Sequence, residues 1–133
     1  MIRLACPANI MYNDTLAQRI YAGSDILLVP SVYEPCGLTQ LFAMRHGTIP
    51  VVRKTGGLAD TVRHYNRETG QGNGFLFEHY LASGLMWAVN EALGLYNTPH
   101  WDTLIKNAME GDFSWDNSAG EYLAMYRKII ESE

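Results

Sequence analysis

Two unbroken apolar runs, Ile26-Leu27-Leu28-Val29 and Ile49-Pro50-Val51-Val52, constrain the fold of this chain more than any other feature. A strand that is apolar at every position, and not only at alternate ones, has both faces covered. That is the signature of a parallel sheet whose crossovers are helices. Pro30 closes the first run. Pro50, inside the second, marks a strand start or an edge, because proline has no N–H to give to a ladder. Between the runs, Leu38 to Arg45 has helical spacing, with Leu38, Leu41, Phe42 and Met44 forming its apolar side and Gly47 ending it.

The same alternation continues on either side. Ile2 to Cys6 reads as a short strand cut by Pro7. Asn13 or Asp14 caps a helix over Thr15 to Ala22, with Leu16, Ile20 and Ala17 facing inward and Gly23 as its stop. After Gly56-Gly57 comes a short helix from Leu58 to about Val62. Arg67 to Gly74 is a glycine-rich loop, and Phe75-Leu76-Phe77 a brief strand. From Tyr80 the pattern is helical: Leu81 to Leu95, Trp101 to Glu110, and Ser118 to Ile130. The last of these carries Ala119, Tyr122, Leu123, Tyr126, Ile129 and Ile130 on one side. The prediction is a Rossmann-like, three-layer α/β fold with a parallel sheet and a helical C-terminal tail. About four strands leave one sheet edge bare, as in a piece of something larger.

Composition bounds the function. At 133 residues, 47% apolar and 18% charged, the chain has the makings of one domain with a real core. No apolar run approaches the ~18 residues of a membrane span, and Met1 to Pro7 lacks a signal-peptide core. A net charge of −4 and a pI near 5.5 exclude the broad basic footprint of a nucleic-acid binder. Cys6 and Cys36 have no metal-motif spacing and read as reduced thiols of an intracellular chain. Charge is uneven. Through Asn66 six Lys/Arg stand against four acids, and after it four stand against ten, so an anionic ligand belongs with the first half.

The chemistry is concentrated in Pro30-Ser31-Val32-Tyr33-Glu34-Pro35-Cys36-Gly37-Leu38-Thr39-Gln40-Leu41. This string lies between the carboxyl end of a buried strand and a helix start, where open parallel sheets bind ligands. Gly37 permits close backbone approach. The N–H groups of Gly37, Leu38 and Thr39 lack intrahelical partners and can meet a phosphate or sugar hydroxyls. Glu34 offers two oxygens to vicinal hydroxyls. Taken one at a time, these residues also fit a plain loop carboxylate, a small buried filler and a turn glycine. The string as a whole is more specific.

Glu34-Pro35-Cys36-Gly37-Leu38-Thr39-Gln40-Leu41, Ala43 to Pro50 and Thr55 to Val62 together resemble the bacterial glycogen synthases and plant starch synthases. Arg19 to Asp25, Phe113-Ser114-Trp115 and Ser118-Ala119 extend the likeness over essentially the whole chain. The resemblance implies a retaining GT-B glucosyltransferase using ADP-glucose. Residues 1–133 then form part of its C-terminal, nucleotide-sugar-binding domain, with the N-terminal domain and the start of the C-terminal domain absent. It implies that Glu34 hydrogen-bonds the donor glucose, with the backbone of Cys36 and Gly37 helping. Leu38 and Thr39 present N–H groups to the distal phosphate, and Tyr12 lies against the adenine. The Thr55-Gly56-Gly57-Leu58 turn forms a neighbouring wall. No metal or other cofactor is implied, and the location is the cytoplasm, or the plastid in a plant.

Two departures refine this resemblance. Many related GT-B enzymes have a second glutamate eight residues after the first; here Phe42 stands there, and the glycogen and starch synthases likewise lack that glutamate. Lys54-Thr55-Gly56-Gly57-Leu58 spells the family's N-terminal lysine motif, but its place after Glu34 makes it a look-alike, so Lys54 takes no phosphate role. The implied reaction moves glucose from ADP-glucose to the non-reducing 4-hydroxyl of an α-1,4-glucan. Glu34 is the lone acid of the string, which favours front-face displacement over a glycosidase-like carboxylate pair. ADP in place of UDP rests on the resemblance, since Tyr12 can stack on either base. The cations that clamp the diphosphate fall in the missing parts, and Arg45, Arg53 and Arg63 have no evident aim at the site. The chain alone is therefore expected to be inactive. The alternative is a non-catalytic nucleotide-sugar-binding module, or a split subunit that needs a separate N-terminal half. A plain α/β domain whose glycines only make tight turns is a third reading.

Overall fold

Strand–helix–strand order favours parallel pairing, and the computed structural model, which describes residues 8–131, has it. β1 (Ile26–Val29), β2 (Ile49–Arg53) and β3 (Phe75–Phe77) form a parallel sheet in the order β1-β2-β3. Ile26 pairs with Ile49, and Val51 with Phe75. The helices are α1 (Asp14–Gly23), α2 (Thr39–Arg45), α3 (Gly56–Thr61), α4 (Ala82–Leu95), α5 (Pro99–Glu110) and α6 (Trp115–Ile130). The expected strand at Ile2–Cys6 lies outside the described residues.

Alternation along the strands divides the core in two. Ile49, Val51, Phe75 and Phe77 point to one face, where they pack with Met44 of α2, Ala88, Ala92 and Leu95 of α4, and Trp101 and Leu104 of α5. Val52 points to the other, against Leu58 of α3 and Val62, with Val29 and Leu76 beside them. Helices thus sandwich the sheet in a Rossmann-like α/β arrangement. Thr48, fully buried, lies within hydrogen-bond reach of the Tyr21 and Ser24 carbonyls (2.5 and 2.7 Å) and ties the end of α1 to the start of β2.

Several expectations change. Pro50 is at a strand start but not at an edge: β2 is the central strand, and Pro50 is buried. The N–H of Ile49 bonds to Asp25 on the β1 side, so alternation turns the missing donor of Pro50 toward β3, whose pairing begins only at Val51. β1, read as covered on both faces, is an edge strand among the described residues, and Leu28 is half-exposed. On α1, Leu16 and Ala17 are half-buried but Ile20 is exposed; the cap is Asn13, whose Oδ1 accepts from the Leu16 N–H at 2.9 Å. The buried side of α2 is Gln40, Ala43 and Met44, while Leu38 and Phe42 are exposed. Phe42 instead reaches the Tyr21 ring of α1, 6.2 Å between centroids. α6 forms as spaced, with Ser114 accepting from the Asn117 N–H, but among the described residues it has no buried residue, and Tyr122, Leu123 and Tyr126 on its apolar side are exposed.

Candidate functional site

The segment from β1 to α2 leaves the sheet at the carboxyl end of β1 and returns at Thr39. Its shape is set by three glycines, Gly37, Gly56 and Gly57. Gly37 has φ +71°, and a Cβ there would meet the Gln40 amide at 2.8 Å and the Glu34 Cγ at 3.1 Å. A Cβ on Gly56 would fall 2.0 Å from the Glu34 carbonyl oxygen, and one on Gly57 1.7 Å from that of Cys36. The backbone of Glu34 to Cys36 therefore lies directly on the Gly56-Gly57 turn, and the Gly57 N–H donates to the Glu34 carbonyl at 2.9 Å. The turn that carries Thr55, Gly56 and Gly57 thus lies against the Glu34 segment. Thr55, half-buried, is the N-cap of α3 and bonds there through its backbone.

Glu34 is half-buried, and Ser31 Oγ donates to its Oε2 at 3.4 Å. Around it the surface is open. Tyr33, Pro35, Cys36, Leu38 and Thr39 are exposed, and Cys36 is a free thiol. Leu38 is the N-cap of α2 without a side-chain cap, so no capping side chain takes up the first backbone donors of the helix. The structure brings Glu34, Cys36, Gly37, Leu38, Thr39, Thr55, Gly56 and Gly57 together. It does not bring Tyr12 to them: that ring lies in the coil before α1, 96% exposed, with no ring contact to the turn among the described residues.

Three residues that hold this turn were not singled out from the sequence. Gln40, fully buried, donates through Nε2 to the Gly37 carbonyl (2.9 Å) and to Thr61 Oγ1 (3.0 Å). Thr61 in turn donates to the Gly57 carbonyl at 2.7 Å. A buried chain of hydrogen bonds thus joins the two glycine turns from below, and Gln40 Oε1 is left without a partner in it. The signal was available: Gln40, Ala43 and Met44 have i, i+3, i+4 spacing, so a polar residue stands on the helix's buried side. Arg53 is the third. It donates to the carbonyls of Val32 and Ser31, just before Glu34, and its guanidinium lies 5.5 Å from the Tyr80 ring centroid. Lys54 is paired with Glu78 at 2.8 Å. Among the described residues no group of three or more His, Cys, Asp or Glu is arranged to hold a metal, and no helix is long and apolar enough to cross a membrane.

This arrangement, a carboxylate beside a helix start whose amides have no side-chain cap, suits the recognition of a hydroxylated, phosphorylated ligand. Over 126 residues the chain is 57% identical to a glycogen synthase of Kosmotoga olearia, covering 94% of this chain and 26% of that protein. It is also 57% identical to a glycogen synthase of Desulforudis audaxviator, covering 93% and 25%. The chain spans about a quarter of the length of the curated relatives it matches. Its fold matches the catalytic domain of starch synthase IV from Arabidopsis thaliana, bound to ADP and acarbose, with a TM-score of 0.78 and 41% identity over 89% of this chain and 25% of that one. Sucrose-phosphate synthase from Thermosynechococcus elongatus matches with a TM-score of 0.61, 29% identity, and 85% and 27% coverage. The family model "Glycosyl transferases group 1" matches residues 11–110, and the chain belongs to that family.

Proposed function

We propose that this chain is the donor-binding part of a retaining α-1,4-glucan synthase that moves glucose from ADP-glucose to the non-reducing 4-hydroxyl of a growing glucan. The observation that carries this reading is the 57% identity to glycogen synthases across nearly the whole chain. The starch synthase neighbour is bound to ADP, which favours an adenine donor.

In this reading the Glu34 carboxylate accepts hydrogen bonds from the donor glucose, and the backbone at Cys36 and Gly37 lines the sugar. The Leu38 and Thr39 N–H groups face the distal phosphate, the Thr55-Gly56-Gly57 turn closes one side, and Tyr12 swings against the adenine. Departure of ADP develops negative charge, and fixed donors aimed at such charge are worth about 3 kcal/mol each. Arg53 and Lys54, the cations nearest the turn in sequence, are already engaged with Val32 and Glu78. The clamp must then come from the other three-quarters of the enzyme, together with most of the acceptor site. The chain alone binds donor without turning it over, and the reaction needs no further cofactor.

Calorimetric titration with ADP-glucose tests this. The expected result is binding with a dissociation constant on the order of 1 mM, lost in Glu34→Ala, and glucan elongation only when the remaining part of the synthase is supplied. Equal binding by the Glu34→Ala chain overturns the assignment.

A further inference from the structure

A second cleft lies between the 66–73 loop and the end of α5. It is a cavity of about 740 Å³ whose walls include Asp60, Arg63, Gln71, Asn73, Glu110 and Phe113. It is built on the segment that enters β3, and it shares only the end of α3 with the Glu34 turn.

Some of its polar groups hold the walls. Asn107 Nδ2 donates to the carbonyls of Gly70 and Gly72, both at 2.8 Å. Asn73 Oδ1 accepts from the Arg63 N–H at 2.7 Å, and its Nδ2 donates to the Thr61 carbonyl at 3.1 Å. Others are unspent: the side chains of Asp60, Arg63 and Gln71 make no hydrogen bond among the described residues. Phe113, 43% exposed, supplies an aromatic wall.

The charge of the lining selects the ligand. Asp60, Glu110 and Asp112 oppose the single guanidinium of Arg63, and burial keeps the His64 imidazole on the neutral side. Phosphates and nucleotides are disfavoured by that balance, and apolar peptides or lipids by the amides and carboxylates. An uncharged, polyhydroxylated chain fits: carboxylates and amides pair with vicinal hydroxyls, and an aromatic ring covers the C–H face of a pyranose.

We propose that this cleft is a second glucan-binding site, which holds a run of glucose units away from the Glu34 turn. The choice of an α-1,4-glucan among neutral polyhydroxylated ligands rests on the function proposed above. Such a contact keeps a long acceptor near the enzyme between transfers, raising its effective concentration without any change at the reacting end.

The test is an amide NMR titration of this chain with maltoheptaose. Saturable shifts are expected at residues 69–73 and 110–113. Affinity should fall at least tenfold in Phe113→Ala and in the exposed Gln71→Ala, recover in Phe113→Tyr, and stay unchanged in Glu34→Ala. The proposal is overturned if those amides do not move, if the shifts persist in both alanine variants, or if ADP-glucose moves the same amides as strongly. ADP-glucose binding at Glu34 without maltoheptaose shifts defeats this site alone, and the reverse outcome defeats only the donor assignment.

Discussion

The stretch from β1 to α5 and the two terminal helices are built from similar amphipathic patterns, yet they reach different ends. In the first, strands and helices cover one another, and Ile49, Val51, Leu58 and Leu104 are fully buried. In the second, α1 and α6 have no buried residue, and Tyr122, Leu123 and Tyr126 of α6 are more than half exposed. Helical spacing of apolar residues thus says which side of a helix is meant to be covered. What covers it is a separate matter, and among the described residues nothing covers α6.

The sharpest way to break this contrast is to add one methyl group in the interior. Gly57→Ala places a Cβ 1.7 Å from the Cys36 carbonyl oxygen, a backbone atom that cannot rotate away. The turns must separate, and the Gly57–Glu34 hydrogen bond goes with them. The expected loss is about 3 kcal/mol, read as a lower urea midpoint, together with loss of ADP-glucose binding. Gln40→Leu acts on the same junction by removing the donor to Gly37 and Thr61. Leaving those acceptors buried and unpaired should cost about 2 kcal/mol, and Thr61→Val should add little on top, because both cut one network.

These two residues also mark where legibility ended. The strands Ile26–Val29 and Phe75–Phe77 and helices α4 and α5 were readable to within a residue or two, because continuous apolar runs and i, i+3, i+4 spacing are local signals. The Glu34 string was readable because its residue types are themselves unusual together. The Gln40–Thr61 contact spans 21 residues and depends on how α2 lies on α3, which no local pattern encodes. For the same reason β1 read as fully covered: a run of four apolar residues does not say how many strands will flank it.

His64 lies beside β3 within the covered stretch and gives it a pH dependence. Its Nδ1 accepts the Leu76 N–H at 3.1 Å, and its ring stacks on Trp87. Burial holds its pKa below the ordinary 6.5, with Glu91 drawing it partly back up. The unfolded chain therefore takes up the proton first, so this contribution is complete above about pH 6.5 and shrinks as pH falls through that value toward the folded pKa. Protonation also turns the Nδ1 acceptor into a donor facing another donor. Urea midpoints should fall as pH drops from about 7 to 5, and the fall should be shallower in His64→Gln. An identical slope in the variant removes His64 as the cause.

The smallest effect is the most discriminating, because it repeats the first substitution with the opposite sign. A Cβ on Gly120, within α6, meets nothing within 4 Å, and its φ is not positive. Gly120→Ala removes unfolded-state freedom at no steric cost, so it should stabilise α6 by about 0.5–1 kcal/mol. Because α6 buries no residue against the sheet, that gain should appear as added helical signal and slower amide exchange within residues 115–130, with the urea midpoint of the interior almost unmoved. Leu123→Ser on the same helix should leave that midpoint within about 0.5 kcal/mol. If either change shifts the unfolding of the interior by as much as Gly57→Ala does, α6 is coupled to the sheet, and the division of the molecule into a self-covered middle and uncovered ends fails.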